Sequence, residues 1–143
     1  MNRKEFEKLV AEGYEQLPQW VREKIKNVAL LVENEPSQED REENGLSDDE
    51  TLLGLYKGVP LSARGDMYGV GMTLPDTITL YQLPIEEAAE EELTTYETVS
   101  NDLRNRYTEV VRKVVADTIW HEFAHHFGMD ENEVREREDK RKA

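Results

Sequence analysis

Hydrophobic residues recur at helical spacing at both ends of the chain and form short apolar runs between them. Steps of three and four predict helices over residues 3–16 and 18–26, and Pro18 suits the start of the second. Short runs of aliphatic and β-branched residues predict strands over 28–33, 51–57 and 77–82, the first of them buried. A short acidic helix is predicted over 84–93. Helices around a small sheet define an α+β fold.

The strongest periodicity begins at Asn101 and predicts one long helix, capped by Ser100 or Asn101 after a break over 94–100. At about 100° per residue, five side chains of this helix fall within a sector of roughly 60°. They are Tyr107, Val110, Val114, His121 and His125. The apolar members predict that this sector faces other parts of the protein.

Two stretches lack apolar periodicity. Residues 34–50 are polar and acidic and include Pro36 and Gly45, which predicts a mobile surface loop. Residues 131–143 are charged throughout and predict a short helix that frays over 135–143. No internal repeat is evident, so residues 1–143 are interpreted as a single domain.

The charge balance narrows the classes of partner. The chain of 143 residues has a formal net charge of −14, which argues against nucleic acid because phosphate is repelled by an acidic surface. Most of this charge is interpreted as a solvated surface, although carboxylates near a site would favour cationic substrates.

The residue types also suggest a compartment. With no cysteine, the chain has neither disulfides nor thiolate-bound zinc, and a reducing environment is favoured. The N-terminal stretch is amphipathic without a long apolar run, so neither a signal peptide nor a membrane anchor is expected. A cytoplasmic location is the resulting expectation.

All three histidines lie within residues 121–126, in the pattern H-E-x-x-H followed directly by a third histidine. On a helix this spacing puts His121 and His125 one turn apart on the same face, where neutral imidazoles can share a Zn²⁺ ion. Glu122 lies at the edge of that face and is the candidate base for a water molecule on the metal. His126 lies about 100° further round the helix and is interpreted as a packing or hydrogen-bonding residue.

A catalytic zinc site needs a third protein ligand and one open position. Gly128 predicts a stop to the helix and a turn of the chain, after which a carboxylate can approach the metal. Glu131 is the candidate ligand, with Asp130 as the alternative. Asp130 also fits a helix N-cap, with Glu133 three residues later, and both roles coexist if Asp130 caps while Glu131 binds the metal.

The segment HEFAHHFGMDENEV (121–134), preceded by VVADTIW, resembles the metal-binding core of the minimal zincin-like metallopeptidases. PDTITLYQLPIEE (75–87) is similar to the strand and short helix of that family, and GVPLSARGDMYG (58–69) to the loop before the strand. The resemblance implies zinc held by His121 and His125 with Glu122 as general base. Glu131 stands where the family pattern H-E-x-x-H-x-x-G-x-x-D has aspartate, so its carboxylate has a longer arm.

The function expected from these residues is a zinc-dependent metallopeptidase-like hydrolase. Glu122 would take a proton from the metal's water, which attacks a peptide or amide carbonyl polarised by Zn²⁺. Arg64 and Tyr68 are candidate oxyanion donors, with an ordinary loop role as the alternative for both. The strand over 77–82 is a candidate for backbone pairing with an extended peptide substrate, with a simple core strand as the alternative.

Two other functions remain compatible with the motif. A zinc-binding interaction or structural module needs the histidines but has no use for Glu122 as a base. A metal-dependent nuclease would also use the metal, but the acidity of the chain argues against it. The oligomeric state is left open.

Overall fold

The computed structural model describes residues 1–58, 75–94 and 103–127. Five helices and three strands lie within these ranges. The helices are α1 (Arg3–Glu15), α2 (Gln19–Lys24), α3 (Gln38–Glu43), α4 (Gln82–Thr94) and α5 (Leu103–His126). The strands are β1 (Ala29–Glu33), β2 (Gly54–Lys57) and β3 (Thr77–Tyr81). None of these helices is long and apolar enough to cross a membrane.

The strands form one sheet in the order β1-β3-β2. Strand β1 pairs parallel to β3, with Leu30 opposite Ile78, and β2 pairs antiparallel to β3, with Tyr56 also opposite Ile78. Strand β3 is therefore central, with partners on both sides. The prediction that residues 77–82 pair with a substrate was wrong and the core-strand alternative is confirmed, because β3 pairs with β1 on one side and β2 on the other.

One face of the sheet packs against α5, which in turn contacts α1 and α4. The helical periodicity of α5 supplies much of the core, and β3 contributes Ile78 and Leu80. Gly13 of α1 permits a close helix crossing, because a Cβ there would lie 2.9 Å from Cγ1 of Val115. The α+β class is confirmed.

The other face of the sheet is only partly covered. Leu31 of β1 is 44% exposed, so the prediction of a buried first strand was wrong about burial although the strand itself is confirmed. Helix α3 covers part of this face and lies within the predicted loop over 34–50. Its Asp40 is buried and bonds to the sheet, an interaction between distant residues that local composition does not report.

The predicted helices are confirmed with small shifts of their ends. Asn2 caps α1 by accepting from the Glu5 amide, and Pro18 stands at the N-cap of α2 rather than inside it. Helix α4 begins at Gln82, two residues before the predicted start. The predicted caps Ser100 and Asn101 and the charged tail over 131–143 lie outside the described residues.

Candidate metal centre

The H-E-x-x-H residues occupy the last two turns of α5, and aromatic packing fixes this end of the helix. Phe123 and Trp120 are buried there, and the ring of Trp20 from α2 meets both edge-on, with centroids 5.6 and 5.8 Å away. These contacts anchor the helix on the side away from His121 and His125.

His121 and His125 lie one turn apart, with nearly parallel rings (17°) whose centroids are 6.3 Å apart. Both side chains are exposed, although the sequence predicted that their sector faces protein. Helix α4 does contact that sector at an earlier turn, where the Tyr107 hydroxyl donates to Glu86 over 3.4 Å. Helical periodicity predicts which side chains share a face of α5. It does not predict how far along that face the neighbouring helix α4 extends.

Glu122 lies between the two histidines in sequence and is half-buried against β2. Its Oε2 accepts a hydrogen bond from the Tyr56 backbone N–H over 3.2 Å. Burial raises the pKa of the Glu122 carboxyl, while the Tyr56 N–H and the electrostatic influence of His125 and His121 oppose that rise. A carboxyl whose pKa is shifted upward by burial is suited to accept and return a proton near neutral pH.

The Tyr56 N–H points toward Glu122 because of the antiparallel pairing of β2. Backbone bonds alternate along such a pair, and the Tyr81 amide donates to Leu53 at 2.9 Å. The bonded positions on β2 are therefore Leu53, Leu55 and Lys57, and the groups of Tyr56 point away from β3. Strand geometry thus leaves this donor for the carboxylate on α5.

Gly54 allows β2 to approach α5 closely enough for that bond. A Cβ at this position would lie 2.6 Å from Cγ2 of Thr118 and 3.1 Å from the carbonyl oxygen of Thr79. The first distance is shorter than real Cβ contacts and the second is tighter than most, so an added Cβ would force Thr118 or the strand to shift. Glycine at position 54 is therefore a requirement for the contact between Tyr56 and Glu122.

The side chain of Tyr56 is also held in place. Its hydroxyl donates to Oδ2 of Asp76 over 2.9 Å, and its ring stacks on His126 with centroids 3.7 Å apart. His126 Nε2 lies 3.9 Å from the same Asp76 oxygen. The prediction that His126 is a packing residue is confirmed, whereas Tyr56 and Asp76 were missed, since no local spacing links them to the motif.

The third metal ligand is not located. Glu131 and Asp130 lie outside the described residues, as do Gly128, Glu133 and the candidate oxyanion donors Arg64 and Tyr68. Within the described ranges, no cluster of three or more carboxylate or imidazole side chains is placed to hold a metal ion.

The donors that are described suit zinc. Two exposed imidazoles from one side of a helix, with a carboxylate beside them, match the ligand chemistry of a catalytic zinc site that lacks its third ligand. Glu131, the third ligand predicted from the sequence, would complete such a donor set.

Comparison with known proteins gives one family. The family model described as a zincin-like metallopeptidase matches residues 25–141, well over half of the chain. The match spans β1, the whole sheet and the motif helix. No curated protein matches the chain significantly.

Proposed function

The chain belongs to the zincin-like metallopeptidase family, and from that premise we propose that it is a zinc-dependent peptidase with its site at the C-terminal end of α5. The observation that supports this most directly is the bond from the Tyr56 N–H to Glu122. It places a half-buried carboxyl beside two exposed imidazoles, which a purely structural zinc site does not require.

His121 and His125 would hold the ion through ring nitrogens, and Glu131 would supply the third ligand, with Asp130 as the alternative. Zinc, when bound, lowers the pKa of water and polarises a carbonyl oxygen as a Lewis acid. Both imidazoles are exposed, so a peptide or protein substrate can approach them.

Glu122 is the general base. Because the Tyr56 N–H holds Oε2, we assign Oε1 to proton transfer. Glu122 takes a proton from the attacking water and returns it to the leaving amine, so one carboxyl acts first as base and then as acid. Its raised pKa brings both steps closer to neutral pH.

The test is digestion of a peptide mixture by the zinc-loaded protein, analysed by mass spectrometry beside a zinc-loaded Glu122→Ala variant. We expect cleavage by the wild type and none by the variant at equal zinc content. Equal cleavage by both would rule out Glu122 as the base. If neither protein cleaves peptides although each binds one zinc per chain, the result would instead favour a zinc-binding interaction or structural module.

A further inference from the structure

A groove of about 550 Å³ lies between α4 and the segment that leads into β2, and no α5 residue lines it. Its apolar lining consists of Pro36, Leu53, Leu83, Pro84 and Ala88. Leu83 is 47% exposed, whereas the adjacent Pro84 and Ile85 are buried. The volume is in the range of about 300–1,000 Å³ found for ligand sites.

Helix α4 packs one face into the core and turns another face, partly apolar and partly acidic, toward the groove. Ile85 and Ala89 are fully buried in the core. The face toward the groove consists of Pro84, Glu87, Ala88 and Glu91, at the spacing of one helix face. Within the described residues, α4 packs mainly against α5 and β3.

The charged residues that line the groove indicate which kind of segment can bind there. Six carboxylates line the groove against one guanidinium, that of Arg41. Nη2 of Arg41 donates to the carbonyl oxygens of Ser47 and Glu50. The guanidinium therefore stabilises the backbone of the segment that forms one side of the groove. The acidic residues are Glu35, Asp48, Asp49, Glu50, Glu87 and Glu91.

We propose that this groove is a docking surface for a basic segment of a partner protein, one with lysine or arginine side chains and an aliphatic side chain among them. The aliphatic group packs against Leu83 and Leu53, while the basic groups reach the carboxylates. An acidic or uncharged apolar segment lacks one of these two interactions.

The groove is close to the metal centre but distinct from it. Leu53 lines the groove, and Tyr56, which holds Glu122, lies three residues further along the chain. At about 3.3 Å per residue, the two positions are roughly 10 Å apart. Docking in the groove needs no turnover, so it is measurable whether or not the protein is a peptidase.

The test uses the full zinc-loaded chain with Glu122→Ala, so that the probe stays intact. The probe is a short fluorescein-labelled peptide of lysine, arginine and leucine separated by glycines, followed by fluorescence anisotropy. We expect saturable binding that weakens roughly fivefold with Glu35→Gln/Glu87→Gln and about as much with Leu83→Ser. A peptide with glutamate for the basic residues should not bind.

The matched control is Glu7→Gln/Glu90→Gln, which removes the same charge from exposed positions outside the groove. Its affinity for the probe should equal that of the parent. Equal weakening in the control, or unchanged affinity in both groove variants, would overturn the proposal. So would a dimer in size-exclusion chromatography that Leu83→Ser abolishes while the parent fails to bind the probe.

Discussion

The two faces of the small sheet hold polar clusters of opposite character. On the α3 side, Asp40 is 3% exposed and accepts from Lys57 over 2.6 Å and from Tyr81 over 3.2 Å. We call Asp40, Lys57 and Tyr81 the closed cluster. On the α5 side, the open cluster consists of Tyr56, Asp76, Glu122 and His126, and it adjoins the two exposed imidazoles.

The difference is clearest in the two carboxyls. Burial raises the pKa of Asp40, but hydrogen bonds from Lys57, Ser37 and Tyr81 outweigh it and lower the pKa overall. At Glu122 the burial effect prevails and the pKa is raised. The first carboxyl is therefore fixed as an anion, while the second can exchange a proton.

Strand β2 supplies both clusters. Tyr56 and Lys57 are consecutive, so their side chains point to opposite faces of the sheet. Substitutions in the closed cluster should therefore lower the free energy of unfolding and leave kcat unchanged. Substitutions in the open cluster should lower kcat with little effect on the free energy of unfolding. Substitutions that separate stability from turnover test this division.

The largest effect is expected from Gly54→Ala, which disturbs both faces. Its Cβ would overlap Cγ2 of Thr118 and displace β2 from α5. We expect a loss of about 2 kcal/mol in unfolding free energy and roughly tenfold lower kcat. Urea denaturation and peptide cleavage measure the two quantities.

Two controls accompany that substitution. Gly58→Ala should be neutral, because the nearest atom to its Cβ would be 3.8 Å away. Adding Thr118→Ser to Gly54→Ala removes the overlapping methyl group and should recover part of both losses. If the double variant is no better than Gly54→Ala, the close approach of β2 to α5 is not the cause.

Asp40→Asn should lower the free energy of unfolding by about 2 kcal/mol. The substitution removes the buried negative charge that accepts a hydrogen bond from Lys57. Zinc affinity, kcat and KM should stay at wild-type values. A change in kcat of the folded variant would show that the closed cluster also positions the metal centre.

Asp76→Asn tests the open cluster and should have the opposite profile. It weakens the hold on the Tyr56 side chain, so we expect kcat to fall about threefold with KM unchanged and stability to fall by less than about 1 kcal/mol. Tyr56→Phe removes the same bond. The losses of kcat should therefore be less than additive in the double variant, and fully additive losses would contradict this linkage.

The smallest expected effect is a pH dependence of the stability contribution of Asp40, which appears only at acidic pH. The folded pKa of Asp40 lies below its ordinary value of 3.8, so its contribution to stability is complete above 3.8 and disappears as pH falls through the folded pKa. The stability difference between wild type and Asp40→Asn should therefore narrow in strong acid. Thermal melts between pH 6 and about pH 2 would measure it.

Local pattern was enough to predict the long helix and the relation of His121 to His125, because both depend on helical spacing alone. The strands were also found, since aliphatic runs identify them. Helix α3 was missed because its six residues, QEDREE, contain no apolar periodicity. It is held by the buried Asp40, which interacts with Lys57 and Tyr81 far along the chain.

The hydrogen bond that positions Glu122 could not be predicted either, because it also joins residues that are far apart in the sequence. Tyr56 and Glu122 are 66 positions apart, and the donor is a backbone N–H, which carries no signature in the sequence. Gly54 gave no signal either, because its role depends on Thr118 of another element. Glu131 as third ligand stays a prediction from spacing and family resemblance.

The most direct test of the metal centre is zinc titration against a chromophoric chelator for the wild type, Glu122→Gln and His121→Ala. We predict one zinc per chain for the wild type and for Glu122→Gln, since Glu122 acts as a base and not as a ligand. His121→Ala should bind at least about 100-fold more weakly while remaining folded, because its side chain is exposed. Wild-type zinc affinity in His121→Ala would contradict a metal centre at the end of α5.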